Sequence, residues 1–247
     1  MILKAEGIVL KVFDLRETSR IATFFTKEHG KFKGVLKGIR QDPKKFGSHI
    51  DRFSVNDIVY YHSHKSDLHL VSQCDLKQYF FPIREDYRRN IAANYILELV
   101  DVIMPLEEAN AKVYQLMTDF LNSLEKTGDI DRLIHIFQIK ILLFSGFRPH
   151  IDSCVKCGRK IQSTARFSIH SGGLLCSLCP TIETSFMVIS QGTVASILHI
   201  EGSDWGKSLR LGLTKTVKKE LKYILNNFLV YHLGRTIKTA KYLKENI

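Results

Sequence analysis

The chain has 247 residues, 45% of them hydrophobic, with 36 Lys and Arg against 25 Asp and Glu for a formal net charge of +11. That length allows one large domain or two to three small ones around a buried core, and a chain this basic points to a polyanionic partner, nucleic acid before acidic membranes or acidic protein tails. Charge interrupts every apolar run short of the roughly 20 residues a bilayer crossing needs, and Lys4 and Glu6 break up any signal-peptide core, so a cytoplasmic protein with reduced thiols is expected.

The first 80 residues read as β-structure. Gly7–Val12 and Ile21–Thr26 are short runs rich in β-branched and aromatic residues, Glu28-His29-Gly30 is a turn signal, and a third strand follows over Lys31–Ile39. Its period of two puts Lys31, Lys33, Val35 and Lys37 on one face and Phe32, Gly34, Leu36 and Gly38 on the other. Residues 57–62 and 68–74 form a further hairpin around Lys65-Ser66-Asp67. About five short strands suit a small barrel, and a five-stranded OB-fold fits the count.

From residue 85 the period becomes helical. Ile91, Tyr95, Leu99 and Val102 share a face, and Val113, Leu116, Met117, Phe120, Leu121 and Leu124 follow the spacing of a core-facing helix. Asp129 or Asp131 can cap a helix carrying Leu133, Ile134, Phe137 and Ile141, which stops near Gly146. Ser190 can cap a short helix to His199, and a long amphipathic helix runs from about Thr214 to His232 with Gly234 as its stop. The fold class is therefore α+β and multidomain: an OB-like barrel over 1–80, then a helical domain over 81–247 interrupted by a cysteine-bearing insert at about 150–181.

Charge is segregated along this order. Residues 31–52 carry seven basic side chains against Asp42 and Asp51, residues 98–131 carry eight acidic ones against Lys112 and Lys126, and residues 206–247 carry ten basic ones against Glu220 and Glu245. The basic run Lys31, Lys33, Lys37, Arg40, Lys44, Lys45 and Arg52 is interleaved with Phe32, Phe46 and Phe53. Such a run can track a phosphate backbone, although any single lysine on a strand also serves to solvate an edge. The acidic middle is a poor DNA surface, suited to protein contact or core. Arg132, Lys140 and Arg148 flank it as candidates for a groove that takes an acidic peptide tail.

The insert holds Cys154-Val-Lys-Cys157 and Cys176-Ser-Leu-Cys179. Each CxxC turns two thiolates inward on one knuckle, and two knuckles make a tetrahedral four-sulfur site of the kind zinc prefers. Two disulfides, a redox CxxC pair or an iron–sulfur cluster are the alternatives. Four cysteines close the coordination sphere, so the metal is structural. His170 is surplus to that set, and Cys74, alone on a predicted strand, is a small buried apolar residue. Gly202-Ser-Asp-Trp-Gly206-Lys207-Ser208 imitates a phosphate-binding loop but is one residue short and follows a helix instead of a strand. No GxSxG, HExxH or dinucleotide fingerprint occurs, and no catalytic constellation stands out.

Three stretches together resemble the RecO family of recombination mediators. Gly7 to Val12, Ser19-Arg20-Ile21, Phe25 to Lys31, Lys37 to Arg40 and Lys44 to Gly47 are similar to that family's amino-terminal OB domain. Phe144-Ser-Gly-Phe147-Arg-Pro149, the two CxxC pairs, Phe167-Ser168 and Gly172-Gly173 resemble its helix-to-zinc-knuckle passage, as in the members that keep the cysteines. Tyr231-His-Leu-Gly234-Arg235-Thr-Ile-Lys238 is similar to its carboxy-terminal helix end. The resemblance implies a non-enzymatic protein that binds single- and double-stranded DNA and anneals complementary strands. It also implies partnership with RecR and with the acidic tail of single-stranded-DNA-binding protein, in loading RecA. By resemblance Lys37, Arg40, Lys44 and Lys45 lie in the basic OB region and Arg235 and Lys238 in a basic carboxy-terminal part. A nucleic-acid-processing enzyme with dispersed catalytic groups and a zinc-bearing RNA-interaction scaffold are the alternatives.

Overall fold

The computed structural model describes residues 1–42, 46, 50–161, 164–179 and 186–246. They fall into two compact units, residues 1–127 with 237–247, and residues 128–236.

The first unit is built on a closed barrel of β1 (Ile2–Leu15), β2 (Ser19–Thr26), β3 (Gly30–Leu36), β4 (Val55–Tyr61) and β5 (Leu68–Gln78) in the order β1-β2-β3-β5-β4. β1 pairs antiparallel with both β2 and β4, which closes the ring, and β3 meets β5 in parallel. β1 is long enough for this because it is bulged between Val9 and Lys11, and a bulge bends a strand around a barrel. Alternation fills the interior with Val9, Phe24, Phe32, Leu36, Ile58 and Tyr60, and Phe32 stacks on Tyr60 with centroids 4.2 Å apart. This is the five-stranded OB-type barrel that the strand count anticipates. Cys74 is fully buried in it, and burial pushes its thiol well above the ordinary value, so it is an inert core residue.

Helices α1 (Phe81–Glu85), α2 (Tyr87–Ile103) and α3 (Ala111–Leu124) complete the unit with α8 (Ala240–Asn246). Asp86 and Asn110 cap α2 and α3 by accepting the backbone N–H groups of Arg89 and Val113. All six apolar residues anticipated on α3 are buried. On α2 burial spreads around most of the helix and takes in Ile103, while Val102 is half-buried.

The second unit contains α4 (Ile130–Phe144), a small sheet of β6 (Ala165–Ser168), β7 (Gly173–Leu175) and β8 (Met187–Ile189), and helices α5 (Gln191–Gly202), α6 (Trp205–Arg210) and α7 (Lys215–Leu233). Asp129 caps α4, Ser190 caps α5, Thr214 caps α7, and Gly234 ends α7 in the left-handed conformation at φ 60°. The barrel's last strand ends at Gln78, and the compact division falls later, after residue 127, with α2, α3 and the chain's last helix in the first unit. The glycine-lysine-serine stretch at 202–208 is the joint between α5 and α6, with Asp204 capping the latter, and no strand precedes it. Among the described residues no helix is long and apolar enough to cross a membrane.

Candidate nucleic-acid interface and metal centre

The four cysteines converge. The Sγ atoms of Cys154, Cys157, Cys176 and Cys179 all lie within 4.8 Å of one another. Cys157 and Cys176 Sγ are 3.7 Å apart. A disulfide needs about 2.0 Å, whereas a tetrahedral zinc with bonds of about 2.3 Å separates its sulfurs by about 3.8 Å. All four are free thiols, so the set fits a metal and is consistent with a zinc site.

Local backbone chemistry makes each knuckle. Gly158 donates to the Cys154 carbonyl at 2.9 Å and sits at φ +71°, the left-handed step that folds the first CxxC back on itself. Burial works against the Cys154 thiolate. The backbone N–H groups of Cys176, Cys157 and Lys156 outweigh that and bring its pKa down to about 6. Burial also opposes the Cys176 thiolate, and the donors of Leu178 and Cys179 again win and lower its pKa. The Cys179 thiol is held up, first by its contacts with the Cys157 and Cys176 side chains. Thiolates accepting backbone N–H groups are already in the protonation state a metal requires.

Arg166 on β6 spans the second knuckle. One guanidinium nitrogen donates to the carbonyls of Cys176 at 2.7 Å and Cys179 at 2.6 Å. The sheet behind it buries Ala165, Phe167, Leu174 and Leu175, and Phe167 meets Phe228 of α7 edge-on at 6.0 Å. His170 is exposed and lies outside the sulfur cluster.

The basic positions on the barrel separate into two kinds. Lys33, Lys37 and Arg40 are exposed. Lys31 is not: it is buried, its Nζ donates to the Asp101 carbonyl at 2.5 Å and lies 3.4 Å from the Asp101 carboxylate. Of the three lysines expected on one strand face, β3 turns Lys33 outward, α2 covers Lys31 and supplies its counter-charge, and Lys37 lies in the turn just past the strand's end at Leu36. Lys44 and Lys45 lie outside the described residues. Arg235 and Lys238 are both exposed, the first in the second unit and the second in the first.

Arg16 and Arg20, outside the basic run over 31–52, join the barrel's basic end. Arg16 sits exposed at the β1–β2 turn with φ 53°, and its carbonyl accepts the Arg40 guanidinium at 3.1 Å. Arg20 begins β2 and pairs with Asp14 at 3.0 Å, and the Arg40 backbone N–H reaches the Thr18 carbonyl at 2.9 Å. The β1–β2 turn and the residues after β3 therefore form one basic rim. No sequence run signals it, because its parts are some twenty residues apart.

Of the three cations expected to flank an acidic-tail groove, two have close partners. Lys140 is buried and donates to the Ile200 and Ser203 carbonyls at the end of α5. Arg148 pairs with Glu201 at 2.9 Å and Asp152 at 3.0 Å, and Arg132 stands 3.9 Å from Asp129. Among the described residues Arg132 Nε is buried without a hydrogen-bond partner. Two carboxylates of the acidic middle have partners within the first unit: Asp101 holds Lys11 and Lys31, and Glu107, though exposed, meets His62 and His69.

That histidine cluster is a lock. His69 Nδ1 accepts the Ser63 N–H at 3.1 Å, so its proton is on Nε2, 2.9 Å from Glu107 Oε1, and His62 Nε2 is 3.4 Å from the same oxygen. With a proton on Nε2, His69 presents no lone pair to a cation there.

With this geometry in place, comparison with known proteins is direct. Residues 1–80 match the family model for the recombination protein O N terminal, and residues 84–241 match that for the recombination protein O C terminal. The chain is similar to the DNA repair protein RecO of Caldicellulosiruptor saccharolyticus, 30% identical over 242 residues that cover 98% of each chain. It is 29% identical to the protein of the same name from Alkaliphilus metalliredigens over 95% of each. To that of Desulforamulus reducens it is 30% identical, over 98% of this chain and 94% of the relative.

Proposed function

The chain belongs to the RecO family of DNA repair proteins, and from that premise we propose that it is a non-enzymatic recombination mediator that binds single- and double-stranded DNA and anneals complementary strands. The observation that carries this reading is the exposed basic rim of an OB-type barrel, with Lys33, Lys37 and Arg40 turned to solvent in a chain of net charge +11. Two DNA strands repel one another. A surface that neutralises phosphates with lysine and arginine side chains releases their counterions and brings the strands together. Because such contacts read no base edge, the bases stay free to pair. No bond is made or broken, so the chemistry calls for no catalytic group. Lys33, Lys37, Arg40, Lys44 and Lys45 supply one strand-binding surface in this account, and Arg235 and Lys238 supply further contacts.

Cys154, Cys157, Cys176 and Cys179 hold one zinc ion, whose part is structural: it cross-links two knuckles in a lobe too small to bury much apolar surface alone. RecR and the acidic tail of single-stranded-DNA-binding protein are the expected partners in delivering RecA to DNA. The protein is expected to work in the cytoplasm at the nucleoid. The test is annealing of two complementary oligonucleotides without ATP or magnesium. Annealing faster than the protein-free rate supports the reading, and no acceleration at saturating protein contradicts it.

A further inference from the structure

A cleft of about 610 Å³ opens in the first unit, where the paired ends of β1 and β2 face the 50–53 loop and α1–α2. Its walls include Phe13, Arg20, Arg52, Arg84, Asn90 and Asn94. Phe13 lies on β1 opposite Ile21 and is 56% exposed, a large ring left in water in a cleft that three arginines also line.

The charges in the cleft do not balance. Of its two carboxylates, Asp14 pairs with Arg20 at 3.0 Å and lies 3.8 Å from Arg40, whereas Asp51 accepts the neutral Tyr79 hydroxyl at 2.8 Å and its charge acts on Arg84 from beyond ion-pair distance. Arg52 donates to the neutral Asn94 amide oxygen at 3.1 Å. Arg84 donates to the carbonyls of Tyr79 at 3.0 Å and Arg52 at 2.8 Å, and its guanidinium lies 3.8 Å over the Tyr79 ring and 4.3 Å over Phe53. Among the described residues neither Arg52 nor Arg84 has a carboxylate within ion-pair distance. Arg84 is half-buried and Arg52 exposed, and three guanidinium groups against two carboxylates leave the cleft net positive, which favours an anion there. The cleft therefore offers an aromatic platform, two guanidinium groups lacking an anionic partner, and side-chain amides, in a volume suited to a small ligand.

We propose that this cleft holds one unpaired nucleotide of a DNA strand, its base against Phe13 and its phosphate at Arg52 and Arg84. The inference rests on the DNA-binding reading and deepens it. Lysines on the rim track any phosphate backbone, whereas a stacked base must be out of a duplex, so the cleft makes the protein prefer single strands. It also gives annealing a direction, since pairing takes the base away from Phe13 and releases the strand.

The experiment uses the full chain, an oligothymidylate and a duplex of the same length, with Phe13→Ala, Arg52→Ala and a Lys33/Lys37/Arg40→Ala triple variant compared at one salt concentration. Phe13 and Arg52 are exposed, so both single variants should keep wild-type melting. Loss of a stacking platform weakens single-strand binding by roughly 5- to 100-fold, and duplex affinity should stay within about twofold in Phe13→Ala. Irradiation of a 4-thiothymidine strand should cross-link the peptide carrying Phe13. If both single variants keep wild-type single-strand affinity while the triple variant loses it, the cleft is overturned and the basic rim stands. Equal losses for single strand and duplex in Phe13→Ala also overturn the cleft. A wild-type protein that binds no single strand overturns both.

Discussion

Glu98 accepts two hydrogen bonds from Thr239, from its backbone N–H at 2.8 Å and its hydroxyl at 2.6 Å, and a third from the Lys238 N–H at 2.8 Å. One carboxylate on α2 thus anchors the chain where it enters its last helix. Burial disfavours the Glu98 charge, but these three donors outweigh it and hold the carboxyl below its ordinary value of 4.5. A carboxyl lowered in the folded state adds stability above its unfolded pKa and loses it as pH falls through the folded one. Glu98→Ala should cost about 1–3 kcal/mol at pH 7, and the deficit should shrink below about pH 4. Urea titrations of the two proteins at both pH values check this, and an equal deficit at each would refute the linkage.

Gly30 fixes how the segment after α2 docks on the barrel. It sits at φ +69°, and a Cβ there would lie 2.2 Å from the Glu108 carbonyl oxygen. The neighbouring Glu107 N–H donates to the Lys31 carbonyl at 2.8 Å, so backbone meets backbone with no flexible side chain to give way. Gly30→Ala should therefore destabilise the protein by about 2 kcal/mol or more, read as a lowered urea midpoint. A melting curve that overlays the wild type would show that the close approach does not persist in solution.

Much of this was readable from residue spacing, and the failures have a common cause. The α3 apolar series, the cysteine pairs, the Asp129 and Ser190 caps and the Gly234 stop are local signals, each set by neighbours within a few positions. Lys31 was misplaced because its alternation is right while its environment depends on Asp101, seventy residues on. The partners of Lys140 lie at the end of α5, and one of the two carboxylates on Arg148 is Glu201 of the same helix, some fifty to sixty residues on. The basic rim of Arg16, Arg20 and Arg40 needs the β1–β2 turn brought against the residues after β3, which only barrel closure does.

The zinc lobe should depend on its metal. Elemental analysis should find about one zinc per chain, and Cys154→Ser should remove it and expose amides in 150–179 to rapid hydrogen exchange. The barrel should keep its protection, since its core of Phe24, Phe32 and Tyr60 lies in the other compact unit. A chelated protein whose lobe exchanges as slowly as before would remove the structural role assigned to the metal.

Arg166 should matter to the same lobe through geometry. It ties the Cys176 and Cys179 carbonyls together, so Arg166→Ala should weaken metal retention against a competing chelator by about tenfold or more. Arg166→Lys should recover only part of it, since a lysine ammonium ends nearer its own backbone than the terminal guanidinium nitrogen that reaches both carbonyls. Retention equal to wild type in Arg166→Ala would mean the knuckle holds its shape unaided.

The most direct test of the central claim is the salt dependence of single-stranded DNA affinity. Each phosphate neutralised on a single strand contributes a slope of about −0.7 in log K against log salt. The wild-type slope should be steep, and replacing Lys37, Arg40, Lys44 and Lys45 by alanine together should flatten it by roughly two to three units with little dependence on base sequence. A quadruple variant that keeps the wild-type slope would contradict the account and leave the basic barrel end as a solvated face.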